Sequence, residues 1–185
     1  NEAHAQLRDG EAVRKVLAST TAAQNLLKDD AWREYEQGFE RREDVFICDN
    51  GADRQGRRGI VQTVVLNQKK PEPIIASALS RCTDVGGSPD SGFSVYLDLV
   101  YNDGTPLWGQ SVPFDGGTRG WQRREVVVIP AKPVRQVSFY MLLRGRAGKA
   151  WFRDPRLQCV RASKGATLFD GVPVVSRPDP AEGFQ

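Results

Sequence analysis

Phe93–Tyr101 reads FSVYLDLVY, and a second stretch, residues 136–144, reads QVSFYMLLR. Successive side chains of a β-strand point to opposite faces of a sheet, so alternation separates each stretch into two sets. One set is apolar throughout and is the predicted core set: Phe93, Val95, Leu97 and Leu99 in the first stretch, and Val137, Phe139, Met141 and Leu143 in the second. We therefore predict two strands that each bury one face in a common core.

The sequence pattern is similar on both sides of these stretches. Short runs rich in β-branched and aromatic residues alternate with turn-forming clusters such as Asn102-Asp103-Gly104. The other predicted strands are residues 45–48, 60–66, 74–81, 122–129 and 150–160, with a weaker run at 167–175. No helix of useful length lies between consecutive strands, which excludes parallel βαβ units. The sequence thus predicts an all-β fold, an antiparallel β-sandwich of the jelly-roll type.

The two ends of the chain differ from this middle part. Residues 1–24 are mostly polar with a marginal helical pattern, and we interpret them as a leader or a short helix. Residues 176–185 contain Pro178 and Pro180 with few apolar side chains, which is typical of a linker to a following domain. The predicted sandwich domain therefore occupies residues 25–175.

Charge and hydropathy exclude several classes of partner. Lys and Arg number 26 and Asp and Glu 23, and the cations are spread along the chain rather than gathered in one block, which argues against nucleic acid. The longest apolar runs fall far short of the roughly 20 residues that a membrane-spanning helix needs, so we expect no membrane insertion. We also expect a monomer and an extracellular location.

Catalytic and redox residues are scarce. His4 is the only histidine and lies in the predicted leader, so the β core holds no Ser-His-Asp triad or Cys-His pair. Cys48, Cys82 and Cys159 form no CxxC pair. They are either small buried apolar residues or one disulfide with a leftover thiol. We predict that the chain is not an enzyme.

The outward-facing sets of the two quoted strands suggest a binding surface. Sugars offer hydroxyl groups around the ring and apolar C–H patches on its faces, so their sites combine aromatic surfaces with planar hydrogen-bonding groups. Trp108 is the best candidate for stacking on a sugar, with packing on an edge strand as its alternative role. The predicted carbohydrate-binding residues are Trp108, Gln110, Tyr96, Asp98, Tyr140, Arg144 and Arg81.

A longer motif order resembles a known family. Residues 120–157 read GWQRREVVVIPAKPVRQVSFYMLLRGRAGKAWFRDPRL, with Gly120-Trp121, Pro130, Arg144-Gly145, Gly148 and Trp151-Phe152-Arg153-Asp154 in sequence. This order resembles the galactose-binding-like carbohydrate-binding modules of families 4, 9 and 22, over roughly residues 25–160, with 25–27 as an opening strand. The resemblance implies a galactose-binding-domain-like sandwich that binds an oligo- or polysaccharide and tethers a covalently linked glycoside hydrolase or related enzyme to it.

The resemblance also implies a structural Ca²⁺ between the first and last strands. Oxygen ligands suit this hard cation. Asp154 is the candidate ligand from the last strand, with Asp29, Asp30 or Glu40 as its partners. A salt bridge from Asp154 to Arg153 or Arg156 is the alternative.

Two other functions are compatible with the same sequence. An ancillary sandwich domain that packs against a catalytic domain, or mediates protein contacts without binding sugar, predicts a contiguous apolar patch on the surface. A small glycan lyase or hydrolase would instead release product from a polymer by itself.

Overall fold

The computed structural model describes residues 24–160, 167–169 and 172–174, so the predicted linker and nearly all of the predicted leader lie outside the described residues. Within these ranges the chain forms strands only, and no helix there is long and apolar enough to cross a membrane. The strands are β1 (Arg33–Glu36), β2 (Glu40–Arg42), β3 (Val45–Gly51), β4 (Arg57–Val65), β5 (Ile74–Val85), β6 (Phe93–Tyr101), β7 (Pro106–Pro113), β8 (Gly117–Val128), β9 (Val134–Arg144), β10 (Gly148–Cys159), β11 (Thr167–Phe169) and β12 (Val172–Val174).

Ten of these strands form two five-stranded antiparallel sheets. The first sheet has the order β1-β4-β9-β6-β7, and the second has the order β2-β3-β10-β5-β8. Strands β11 and β12 pair with each other, so the predicted strand at residues 167–175 is a hairpin instead. The predicted all-β, jelly-roll sandwich is confirmed.

The core lies between the two sheets. All eight residues of the predicted core sets on β6 and β9 are fully buried. Aromatic side chains join the sheets: the Phe93 ring centroid lies 5.1 Å from that of Phe114 and 6.0 Å from that of Phe152. Full burial of a side chain of this size stabilises the fold by roughly 1.5–3 kcal/mol, so this layer is the main source of stability.

The segment before β1 is held by a few separate hydrogen bonds rather than by a strand ladder. Residues 25–27 do not form the expected opening strand, although the Leu26 amide donates to the Leu157 carbonyl of β10 at 2.8 Å. Buried Gln62 of β4 accepts from the Lys28 amide at 2.6 Å and donates to the Lys28 carbonyl at 2.8 Å. Because β4 and β10 belong to different sheets, this segment ties the two sheets together.

A buried arginine organises the loop between β5 and β6. Arg146 is only 6% exposed, and its Nη atoms donate to the carbonyls of Gly86 at 3.1 Å and Ser88 at 2.9 Å. Its guanidinium also pairs with the Asp90 carboxylate. A Cβ atom at Gly87, where φ is +84°, would lie 3.2 Å from Arg146 Cζ, so the glycine makes room for the side chain.

The three cysteines are separate thiols. Cys48 and Cys82 are buried, Cys159 is partly buried, and none is paired. Burial raises the pKa of Cys48 to about 12 and that of Cys159 to about 11. Of the two alternatives that the sequence left open, the structure shows small, largely buried side chains rather than a disulfide.

Candidate functional site

The outward face of the first sheet carries a row of three tyrosines. Tyr96 of β6 and Tyr140 of β9 are directly paired, with ring centroids 5.5 Å apart and planes at 85°. Tyr35 of β1 lies on the other side of Tyr140, at 5.8 Å and 88°. Gly59 of β4 is the cross-strand neighbour of Tyr35, and a Cβ atom there would lie 3.2 Å from the Tyr35 ring and 2.8 Å from Leu142 Cδ2 of β9. The glycine therefore leaves room for the Tyr35 ring and the Leu142 side chain.

Arg144, at the end of β9, connects the two outer tyrosines. Its Cζ lies 5.0 Å from the Tyr96 ring centroid and 6.0 Å from that of Tyr35. Nη1 donates to the Tyr35 hydroxyl at 3.3 Å, and Nη2 donates to Ser91 Oγ at 3.4 Å. Arg57 also donates to the Tyr35 hydroxyl. The guanidinium of Arg144 is thus fixed against the tyrosine row, since contacts from three directions restrict it.

Asp98 supplies the negative charge of this face. It follows Tyr96 by two positions on β6, and its Oδ1 accepts from the Gly109 amide of β7 at 2.9 Å. Burial, and then the Asp98 charge, raise the pKa values of Tyr96 and Tyr140 above the ordinary tyrosine value. Both phenols therefore stay neutral at physiological pH, where each can donate and accept a hydrogen bond.

We call Tyr35, Tyr96, Asp98, Tyr140 and Arg144 the tyrosine face. The structure brings together four residues that the sequence placed on a common outward surface, and it adds Tyr35. Tyr35 could hardly be predicted from the sequence, because β1 is four residues long and its other three residues are charged. A strand that short and that polar has no apolar alternation to reveal it.

Trp108 and Gln110 lie on β7, a strand at the edge of the first sheet. Between Leu97 and Leu99 the β6–β7 register shifts, so that Trp108 and Gly109 together oppose Asp98. This arrangement is a β-bulge. Trp108 is 59% exposed at the bulge, beside the tyrosine face. Gln110 opposes core residue Leu97, so it projects toward the core side of the strand, and it does not join the tyrosine face.

Arg81 does not share this surface, contrary to the sequence-based prediction. It belongs to β5 in the second sheet, and its Cζ lies 3.8 Å from the Trp151 ring centroid. Alternation assigns a residue to one side of its own strand, but it does not show to which sheet that strand belongs. Because β5 and β6 are consecutive in sequence yet lie in different sheets, Arg81 faces away from the tyrosines.

The residues predicted to hold Ca²⁺ do not fit that ion. Asp29 and Asp154 line one surface groove of about 430 Å³, and Glu40 is not among its lining residues. The Arg41 guanidinium pairs with the Asp29 carboxylate and also donates to the Asp29 carbonyl at 3.0 Å. Calcium needs six to eight oxygen ligands, and no group of three or more His, Cys, Asp or Glu suited to a metal occurs in the described ranges.

Comparisons with known proteins add the following. No family model matches the chain. The chain is 29% identical over 143 residues to a protein named tRNA nuclease WapA from Bacillus subtilis strain 168, and it is similarly related to tRNA3(Ser)-specific nuclease WapA from Bacillus spizizenii, 29% identical over 142 residues. Each match covers 75% of this chain and 6% of the relative, so the chain spans a small fraction of these relatives' length.

Two solved structures are similar to the chain in shape. The second N-terminal cellulose-binding domain of β-1,4-glucanase C from Cellulomonas fimi has a TM-score of 0.49 at 12% identity, covering 78% of this chain and 99% of that domain. A structure named Family 16 Carbohydrate Binding Module-2 has a TM-score of 0.44 at 15% identity, covering 61% of this chain and 74% of that one. The structural neighbours thus include carbohydrate-binding modules.

Proposed function

We propose that this chain is a non-catalytic carbohydrate-binding module that holds a polysaccharide on its tyrosine face. The observation that carries the proposal is the row of Tyr35, Tyr140 and Tyr96, with Arg144 against both outer rings and Asp98 beside the row. Aromatic rings offer apolar surface to the C–H face of a sugar, and the charged groups offer donors and acceptors to its hydroxyls.

The dimensions of the face suit a chain of sugars rather than one sugar. Tyr35 is on one edge strand of the sheet and Trp108 is on the other. Five strands at about 4.8 Å spacing span roughly 19 Å. Trp108, exposed beside Asp98, extends the apolar surface beyond the tyrosines. The side chains that line this path are strand residues, which keeps them in place before a ligand arrives.

In the longer protein the module would act by tethering. Binding to a polymer raises the local concentration of whatever is attached to the same chain, without any new catalytic contact. The relatives' name attributes tRNA cleavage to proteins of which this region is 6%, and we propose that the region contributes binding rather than cleavage. A secreted location, with the substrate polymer outside the cell, follows from the same proposal.

The alternative of an ancillary packing domain has less support. It requires a contiguous apolar patch. Among the described residues, the large apolar side chains that are strongly exposed are Val65, at 63%, and Trp108, at 59%. Val65 is on β4 and Trp108 on β7, with β9 and β6 between them. The two side chains therefore do not form one patch.

Affinity electrophoresis and isothermal titration against a panel of neutral polysaccharides test the proposal. We expect at least one glycan to be retained, and we expect Tyr140→Ala and Arg144→Gln each to weaken its binding about tenfold or more. Loss of one stacked ring or of one hydrogen bond from a charged group is worth about 1.5–3 kcal/mol. Trp108→Ala and Tyr96→Ala are the second pair of variants.

Arg123→Gln is the matched control, because Arg123 is on β8 of the opposite sheet. Its binding should equal that of the unmodified protein. Thermal melting shows that each variant is folded. If no glycan in the panel is retained, or if folded tyrosine-face variants bind as well as the control, the tyrosine face is not a sugar site.

A further inference from the structure

The opposite side of the sandwich carries a second patterned surface. On the outward face of the second sheet, Arg81 lies between two tryptophans, with its Cζ 3.8 Å from the Trp151 ring centroid and 5.6 Å from that of Trp121. Arg153 Cζ lies 4.1 Å from the Trp121 centroid, and Lys149 Nζ lies 4.7 Å from the Trp151 centroid. We call these five residues the tryptophan face.

The two arginines of this face have hydrogen-bonding capacity to spare. Among the described residues, neither Arg81 nor Arg153 forms an ion pair, whereas Arg123 on the same side pairs with Glu125 at 3.1 Å. Arg153 Nε is buried without a hydrogen-bond partner. A guanidinium that lies over an indole ring keeps its donors in its own plane, at the edges that recognise carboxylate and phosphate.

The pattern of charge also defines where an anion would bind. Lys149 has Asp49 as its cross-strand neighbour on β3, which reduces the positive potential at that end. Arg153 instead has the uncharged Leu79 of β5 as its cross-strand neighbour. Arg81 has Trp151 of β10 in that position, so neither arginine has an acidic neighbour across the β5–β10 pair. The positive potential is therefore concentrated around the two arginines and the Trp121 ring that both contact.

We propose that the tryptophan face binds an acidic polysaccharide, through carboxylate or phosphate groups that accept hydrogen bonds from Arg81 and Arg153. A single-stranded nucleic acid fits less well, because its bases need open aromatic faces for stacking. Here each indole already has two cations against it. A ligand would therefore contact the N–H donors at the edges of the two guanidinium groups rather than the faces of the indole rings.

This site is separate from the tyrosine face. The two surfaces belong to different sheets, and the shared core lies between them. A ligand on one side therefore does not contact the residues of the other, and the present proposal goes beyond the neutral-glycan site proposed above. Either site can exist without the other.

Binding of polygalacturonate and of phosphomannan by the full chain tests the proposal, with an uncharged galactan and a single-stranded oligonucleotide as comparison ligands. We expect polygalacturonate, phosphomannan or both to bind, more weakly as salt concentration rises, since exposed charges are screened. The first two ligands distinguish carboxylate from phosphate recognition. Arg153→Gln should weaken binding about tenfold, and Arg81→Gln with Arg153→Gln still further.

Arg123→Gln is the matched control, because it removes the same charge from the same side of the protein but takes away a cation that is already paired. It should bind acidic polymer as the unmodified chain does, and so should Tyr140→Ala. Equal losses for Arg123→Gln and Arg153→Gln would show binding through net charge alone and would overturn the site. So would tighter binding of the oligonucleotide, or no binding of either acidic polymer. If the double variant fails to fold, the binding of the single Arg153→Gln variant decides whether the tryptophan face is the site.

Discussion

Arg146→Met should destabilise the domain by loosening the loop between β5 and β6. Arg146 is almost fully enclosed, and it joins this loop to the turn between β9 and β10. The same loop carries Ser91, whose hydroxyl accepts from Arg144 of the tyrosine face. A change at a buried position thus reaches the candidate site through the backbone of the loop.

The expected magnitude comes from three contacts. Each hydrogen bond from the guanidinium to the carbonyls of Gly86 and Ser88 is worth about 1.5 kcal/mol, the lower end for charged donors, because both carbonyls belong to exposed residues that water can reach. The ion pair to Asp90 adds at most about 1 kcal/mol, since the Asp90 side chain is 66% exposed. Removing a buried charge whose Nε lacks a partner offsets part of the loss. We expect a net loss of about 2–3 kcal/mol.

Urea unfolding followed by tryptophan fluorescence measures this loss directly. At about 2–4 °C per kcal/mol for a domain of this size, the midpoint of thermal unfolding should fall by about 4–12 °C. Asp90→Asn is the comparison, since it removes only the solvent-exposed ion pair and should cost at most about 1 kcal/mol. If Arg146→Met costs no more than Asp90→Asn, the two backbone contacts contribute nothing and the reasoning is wrong.

Two further changes test other parts of the fold. Gln62→Leu removes both hydrogen bonds to Lys28 and should lower the free energy of unfolding by about 1–2 kcal/mol. It should also let a protease cleave within residues 24–32 before the domain unfolds. Cleavage at the rate of the unmodified protein would contradict the role given to Gln62. Burial holds the pKa of Cys48 at about 12, so only about 10⁻⁴ of this thiol is ionised at pH 8, and mass spectrometry should find it unlabelled by iodoacetamide in the folded protein. Rapid labelling of Cys48 in the folded state would contradict this prediction. Because the unfolded chain releases the thiol proton at lower pH than the folded chain, the free energy of unfolding should also fall as pH rises above about 9.

The strands that were predicted from sequence are those with long apolar alternation. Phe93–Tyr101 was predicted with the bounds that the structure has, because its alternation is uninterrupted and turn residues flank it. Strand β7 was not predicted, since it contains two prolines and a glycine, which are tolerated only because it lies at a sheet edge. Strands β1 and β2 were missed because they are short and mostly charged.

For the candidate site, the sequence predicts which side chains of one strand point outward, but not which strands lie next to each other. Alternation placed Tyr96 and Tyr140 outward, and the β6–β9 register then made them direct neighbours. It did not reveal Tyr35, which reaches the row through the pairing of β1 with β4. It also misplaced Arg81, since the sheet to which β5 belongs depends on long-range pairing. Gln110 was proposed from its place after a turn, without a predicted strand, so the bulge that sets its direction could not be foreseen.

The back-to-back packing of the two sheets has a mechanical consequence. The tyrosine face and the tryptophan face look in opposite directions, across a layer of side chains roughly 10 Å thick. A protein molecule with a glycan bound to each face would cross-link two different polymer strands, and it would not bind a single strand more tightly. Such a protein would thicken or gel a mixture of neutral and acidic glycans, while a one-sided binder would leave the mixture fluid.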